Sequence, residues 1–429
     1  MEDFIRAIIG VASLIGFGVL ISSNRKKIKW ETVAWGLGLQ IVFGLFLLKT
    51  PWGLALFSKA NDTVIALLGF SNEGAKFLFG PLIGFSSLPV AASDGSVIGA
   101  ASIGMIFAFR VLPTILFFSA LMSIMYYLGV MQVIISVFAK LMSKTMKTSG
   151  AESLSVAANI FVGQTEAPLV VKPYINDMTK SELTAIMAGG FATVAGGVMA
   201  AYVGFLKDSI PNIAGHLMTA SIMSAPAALA MAKIIYPETE KSKTAGTVKL
   251  AVPQNDANLV DAAANGTIQG LQLALNVGAM LIAFIALVAM LDGFLGWASL
   301  SLGAPPENML TLKKIFGVVL WPVAWLLGVP SIDAGAFANL LGTKLMINEF
   351  VAYVELGEAA KTFVHTKSAI IGSYALCGFA NVSSIGIQLG GIGAIAEGRR
   401  GDLARVAWRA LAAGACASFM TAALAGFLV

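Results

Sequence analysis

Asn159-Ile-Phe-Val-Gly-Gln-Thr-Glu-Ala-Pro168 sets six polar or turn-forming residues inside an apolar stretch, Ser153–Val171, that is too short to cross a bilayer twice as full helices. Gly163 permits a tight turn, and Pro168 suits the first turn of a returning half-helix. Gln164, Thr165 and Glu166 then fall at a helix N-terminus, where free N–H groups favour polar and anionic partners. A surface turn between two helices is the plainer reading, but a carboxylate at membrane depth is costly and usually functional. Asn348-Glu349-Phe350 occupies the matching place in a second short hairpin, Ile332–Tyr353. There the plainer reading is a structural ion pair between Glu349 and Lys344, whose spacing is one residue beyond the favoured i,i+4 pair.

These hairpins only make sense in lipid, and the composition supplies it. The 429 residues are 57% hydrophobic and 12% charged, against roughly a quarter charged in ordinary soluble domains. The apolar runs are long and continuous rather than short and alternating, so the expectation is helices and not a barrel. The net charge of +5 does not gather on one helix face, which argues against nucleic acid. Spans are expected at Ile5–Ser22, Thr32–Leu48, Ala101–Met131, Leu183–Leu206, Ile213–Ile235, Leu271–Leu302, Ser368–Ile395 and Val406–Val429. Glu2 and Asp3 before the first run and Arg25-Lys26-Lys27 after it reverse the charge order of a signal peptide.

The positive-inside rule puts Arg25, Lys26, Lys27 and Lys29 inside, followed by Lys140, Lys144 and Lys147, then Lys241, Lys243 and Lys249, then Arg399, Arg400 and Arg405. Both termini are then outside. Lys313, Lys314, Lys344, Lys361 and Lys367 fall outside as exceptions.

Both halves of the chain repeat one order: long span, amphipathic segment (Val133–Lys147, Leu310–Leu327), polar-tipped hairpin, interrupted span, final span. The charge count places the two amphipathic segments on opposite sides, so the repeats are inverted, the sequence mark of a secondary transporter with a midplane site. The expected class is therefore an all-α polytopic membrane protein with about eight transmembrane helices, two re-entrant hairpins and interfacial helices. Its parts are N-terminal spans (1–131), a first repeat (132–235; hairpin 150–175, interrupted helix 180–206), a polar connector with a long scaffold span (236–302), and a second repeat (303–429; hairpin 330–357, interrupted helix 366–396).

Interruptions are expected at Phe191-Ala-Thr193-Val194-Ala-Gly196-Gly197 and at Cys377-Gly-Phe379-Ala-Asn381-Val-Ser383-Ser384. Close packing and unwinding explain the glycine pair equally well. Gly390-Gly391-Ile-Gly393 follows no strand, so it is no dinucleotide loop, and no Gly-Lys-Ser/Thr loop is present for ATP. Cys377 and Cys416 read as packing residues, and His216 and His365 as interfacial ones.

Gly150-Ala-Glu-Ser153, Gly163-Gln-Thr-Glu-Ala-Pro168, Ile347-Asn-Glu-Phe-Val-Ala-Tyr353 and Cys377-Gly-Phe-Ala-Asn381 together resemble the concentrative nucleoside transporter family, most closely from Lys144 to Gly398. The resemblance is to the shorter, eight-span bacterial form. It implies a homotrimer in the inner membrane that carries nucleosides such as uridine with sodium, on a mobile part holding both hairpins. It implies that Gln164 and Thr165 bond the nucleobase with Glu166 nearby through water. Glu349, Asn381 and Ser384 would bind the ribose, with Phe379 and Val198 shaping the pocket. For sodium it points to Asn159, the carbonyls of Val162 and Val194, and Thr193, where Ser would be the expected residue. A proton-coupled symporter, with Glu166 or Glu349 carrying the proton, and a nucleoside-responsive gate or sensor stay open as alternatives. No enzyme motif accompanies the two glutamates.

Overall fold

In the computed structural model, which describes residues 2–83, 87–94, 96–102, 106–244, 256–306 and 309–429, the chain is almost entirely helical. It opens with α1 (Glu2–Leu20), α2 (Trp30–Lys49) and α3 (Pro51–Phe79), then a short antiparallel hairpin, β1 (Ser87–Ala91) with β2 (Val97–Ser102). The first half continues with α4 (Phe107–Arg110), α5 (Leu112–Tyr127), α6 (Val130–Met146) and α7 (Gly150–Asn159). A 3₁₀ segment (Ala167–Asp177), α8 (Lys180–Ala192), α9 (Gly196–Leu206) and α10 (Ile213–Ile235) complete it. The second half holds α11 (Leu259–Ser301), α12 (Leu312–Val319), α13 (Trp321–Leu326), α14 (Ser331–Met346), α15 (Glu349–Ala359), α16 (Thr366–Ala375), α17 (Val382–Ile395) and α18 (Arg400–Leu428). Lys249 lies outside the described residues.

Helix α3 falls outside the spans expected from hydropathy. It is long and apolar enough to cross a membrane, yet its contacts show that it lies across the bundle. Asn61 Oδ1 accepts from Ala214 N in the first turn of α10, and Phe57 packs on His216. Leu68 and Asn72 meet Val111 and Thr114 at the start of α5, and Gly204 and Lys207 at the end of α9. From Phe57 to Asn72, about 22 Å of helix axis, α3 therefore touches one end of the bundle throughout. With α3 set aside and the interrupted pair α16–α17 included, the spans number eight among the described residues.

Two expected spans have other bounds. The run Ala101–Met131 is a strand to Ser102 and a helix that ends at Tyr127, because Gly129 at φ +78° turns the chain into α6. The span expected from Leu271 starts at Leu259, where Asn258 caps the N–H groups of Val260 and Asp261. Part of the polar connector is thus helix.

Burial sorts the helices. The apolar windows of α8–α9 and α10 are 89% buried, while that of α11 is 6% buried. Helices α10 and α18 form the central posts, and α11 rests on α5 through Gly266 and Gly270, leaving Ile282, Met290 and Trp297 exposed. The core divides into two apolar clusters, one around α6–α8 and one around α9 and α14–α16; α10 and α18 run through both. Between them lies a small-residue layer, Ala192, Ala227, Ala228 and Ala417. Both helix breaks, 193–195 and 376–381, fall at this level. At Gly378, φ is +123°, and a Cβ would sit 2.6 Å from Phe191 O.

One end of the molecule is tied by polar groups. Ser149 with Glu152, and Thr179 with Glu182, form capping boxes that start α7 and α8. Buried Lys233 pairs with Glu152 at 2.6 Å, and Ser242 and Thr244 donate to Glu182. Lys29, Lys144, Lys147, Lys233 and Lys241 line one cavity of about 520 Å3 here. Arg399 donates to the carbonyls of Ile175, Asn176 and Met178 at the base of the first hairpin. The loops that the charge count assigned inside therefore share one face.

Gly378→Ala tests the contact between the breaks. The substitution forces a Gly-only backbone and a backbone clash, so a loss on the order of 2 kcal/mol is expected, read as a lower unfolding temperature in detergent. Gly16→Ala, where a Cβ would meet nothing within 4 Å, is expected to leave that temperature unchanged.

Candidate functional site

Asn348 and Asn381 do the same job in the two elements that build the site. Each is extended and accepts from a helix N–H three residues on, Val351 N at 2.9 Å and Ser384 N at 2.8 Å, so each starts a helix in the middle of the fold. This puts Glu349 in the first turn of α15 and Ser384 in the first turn of α17. Both are buried, at 3% and 2% exposed.

Glu349 is held at both oxygens. Tyr202 OH donates to Oε1 at 3.0 Å, and Asn381 Nδ2 donates to Oε2 at 2.8 Å. The Tyr202 ring is fixed by stacking on Tyr353 at 4.1 Å and by the edge of Phe350. From Asn381 the chain of bonds continues through its Oδ1 to Ser384 N. Gln164 Nε2, from the first hairpin tip, donates to Ser384 Oγ at 3.3 Å, and Gln388 Nε2 donates to Gln164 Oε1 at 3.0 Å. Tyr202, Glu349, Asn381, Ser384, Gln164 and Gln388 thus form a continuous buried polar chain that joins both hairpins to the break in α16–α17.

Lys344 does not pair with Glu349. Its Nζ donates to Ala375 O at 2.7 Å and to Ser418 Oγ at 2.9 Å, and it lies over the Phe419 ring. Ala375 O is a terminal carbonyl of α16, so the ammonium answers an orphan acceptor at the negative end of a half-helix. The structural reading of Glu349 as a partner for Lys344 is thereby replaced.

Glu166 takes a different direction from Gln164. Its Oε2 accepts from Gly163 N at 3.1 Å, and a Cβ on Gly163 would approach that carboxylate at 3.5 Å. The side chain is exposed to a cavity of about 280 Å3 between the hairpin tip, α5 and α11, with Ser119, Tyr126, Gly196 and Gln269 among its walls. Thr165 packs against Gly391. Val198 is buried and Phe379 half-buried in one apolar cluster, and neither takes part in the bonded chain.

The residues expected around an ion lie where the hairpin tip meets the first break. Gly196 N donates to Phe161 O at 2.9 Å, tying the two backbones directly. Thr193, extended at the end of α8, donates to Gly189 O at 3.0 Å. Asn159 is fully buried; its Nδ2 donates to Ser155 O, while its Oδ1 has no hydrogen-bond partner among the described residues. Val162 and Val194 are buried beside them. Neutral oxygens of this kind suit a hard monovalent cation and would not hold a transition metal.

Three members of the site escaped the sequence reading: Tyr202, Gln388 and the capping role of Lys344. Gln388 had a visible signal, an amide seven residues beyond Asn381 in an apolar run, hence on the same helix face. His216 is buried in protein, its Nδ1 3.0 Å from Tyr374 OH and its ring on Phe57.

Comparison with known proteins agrees along the whole chain. Residues 216–426 match the family model for the Na+ dependent nucleoside transporter C-terminus, 9–82 that for its N-terminus, and 108–209 the nucleoside recognition gate model. A transporter of Haemophilus influenzae is 43% identical over 99% of this chain and 97% of its own length. Sodium/nucleoside cotransporter 1 of Sus scrofa is 40% identical over 95% of this chain, which spans 61% of that protein. The structure of CNTnw in an inward-facing substrate-bound state superposes with a TM-score of 0.88 at 41% identity, covering 99% of this chain and 98% of that one.

Asn381 is expected to be the most sensitive joint. Asn381→Asp keeps the cap on Ser384 but removes the donor to Glu349 and sets two carboxyl groups together. A loss of about 1–3 kcal/mol is expected, seen as a lower unfolding temperature. Adding Glu349→Gln to the same protein should recover most of that loss.

Proposed function

Because the chain belongs to the concentrative nucleoside transporter family, we propose that it is a sodium-coupled symporter that imports nucleosides across the cytoplasmic membrane by alternating access. The observation that carries this reading is the buried polar chain from Tyr202 to Gln388, with Glu349 next to one end and Gln164 next to the other. A nucleoside has a diol at one end and a hydrogen-bonding base edge at the other, and the two ends of the chain match it.

In this reading Glu349, Asn381 and Ser384 take the ribose. A carboxylate accepts from two neighbouring hydroxyls with charge-assisted bonds, and Glu349 already holds two donors in that arrangement. Gln164 and Thr165 face the base, and an amide that both donates and accepts suits purines and pyrimidines alike. Val198 and Phe379 supply apolar walls. Glu166 acts from the side, through the cavity it lines. The apposed positions of Asn159, Val162, Thr193 and Val194 support the sodium reading, above all the unpartnered Oδ1 of Asn159. Sodium there would join hairpin tip and break, so that Gln164 is ordered when the nucleoside arrives.

The hairpins α7 with the 3₁₀ segment, and α14 with α15, are proposed to be re-entrant and to move with the interrupted helices against a scaffold of α1, α2, α5 and α11. The exposed apolar face of α11 is consistent with a subunit contact in a homotrimer as well as with lipid.

Radiolabelled uridine uptake into proteoliposomes tests the proposal under an inward sodium gradient, a proton gradient or neither. Sodium is expected to drive accumulation, and Glu349→Gln is expected to reduce uptake at least tenfold, about 1.4 kcal/mol or more. Accumulation driven by protons alone would move coupling to a carboxylate; binding without accumulation would make the protein a gate or sensor. In the same assay, Asn159→Ala is expected to raise the sodium concentration for half-maximal uptake several-fold. Uridine affinity at saturating sodium should then stay within about twofold of the parent.

A further inference from the structure

Gln388 is a fully buried amide in α17 that shares a helix face with Asn381 and Ser384, seven and four residues before it. Its Nε2 donates to two oxygens at once, Met187 O at 3.1 Å and Gln164 Oε1 at 3.0 Å. A main-chain carbonyl oxygen can only accept, so Met187 fixes which way the Gln388 amide faces. Gln164 must then turn its oxygen to Gln388, which leaves its NH2 group toward Ser384, 3.3 Å away. Direction passes from backbone to side chain to side chain.

Two details show that this orientation is imposed. Gln388 Oε1 is buried with no hydrogen-bond partner among the described residues, and still the amide does not reverse, since reversal would set oxygen against the oxygens of Met187 and Gln164. Gly190 also clears the space: a Cβ there would lie 2.7 Å from Gln388 Nε2 and 2.9 Å from Gln164 Cβ. An unconstrained glutamine offers a ligand either donor or acceptor after a half-turn of its terminal amide.

We propose that Gln388 is a positioning residue that locks Gln164 with its NH2 group toward the ligand, so that the site selects bases presenting a hydrogen-bond acceptor, a carbonyl oxygen or an unprotonated ring nitrogen, at that edge. The proposal rests on the reading of Gln164 as a nucleobase contact. The 3.3 Å bond to Ser384 is the longest in the chain, hence the one a ligand acceptor replaces most readily. A pre-set amide spares the ligand the cost of ordering it.

The test is a double-mutant cycle on uridine binding to the purified protein at saturating sodium, using Gln388→Met, Gln164→Ala and the pair. Gln388→Met alone is expected to weaken binding about tenfold. In the Gln164→Ala background the same change is expected to cost about twofold or less, because the residue acts through Gln164. The ratio of uridine to 2′-deoxyuridine affinity should not change in Gln388→Met, since Glu349 and Asn381 hold the sugar end. Equal losses in both backgrounds, or an altered sugar ratio, would overturn this proposal alone and make Gln388 a direct contact or a support of the fold. A Gln164→Ala protein that binds uridine as tightly as the parent would overturn both the proposal and the reading beneath it.

Discussion

A helix broken inside a membrane protein leaves orphan carbonyls on one side of the break and orphan N–H groups on the other, and hydrocarbon cannot satisfy either. The break between α16 and α17 solves this with two side chains. Lys344 reaches Ala375 O at the end of α16, and Asn381 accepts from Ser384 N at the start of α17. Because the same Asn381 donates to Glu349, closing the break also fixes the carboxylate. The cap and the site thus share one side chain, its oxygen closing the helix and its nitrogen holding the carboxylate.

The arrangement around this joint follows from where bulk is excluded. The two apolar clusters fill the two ends of the molecule, and a layer of four buried alanines on α8, α10 and α18 lies between them. Small residues let helices approach closely where packing is the main attraction available. That closeness brings Gly378 against the carbonyl of Phe191, so both breaks meet at one level. The same physics explains Gly190, a glycine required by a neighbouring amide rather than by its own backbone.

One end of the molecule is held differently. There the two capping boxes, the buried Lys233–Glu152 pair and the hydroxyls of Ser242 and Thr244 join the starts of α7 and α8 to the end of α10. A buried ion pair adds less net stability than its geometry suggests, but breaking one partner is costly. The hairpin therefore has an anchored base and a tip joined by a few hydrogen bonds, Gly196 N to Phe161 O among them. That contrast places adaptability at the tip, where a ligand and an ion would act.

By itself the sequence determined the membrane class, the matched order of elements in two halves, the two polar hairpin tips and the interruption at Asn381, because hydropathy and misplaced polar residues in apolar runs are local signals. Glu349, Asn381, Ser384 and Gln164 were legible for that reason. The course of α3 was not, since its length and composition fit a span, and only its contacts with the ends of α5, α9 and α10 lay it across the bundle. Nor was the partner of Lys344 legible, because Ala375 is 31 residues away and a carbonyl has no side-chain signature. Tyr202 and Gln388 join the site through partners 147 and 224 positions distant. Which donor meets which acceptor at such separations is fixed by how the helices pack, and so the tertiary structure alone decided it.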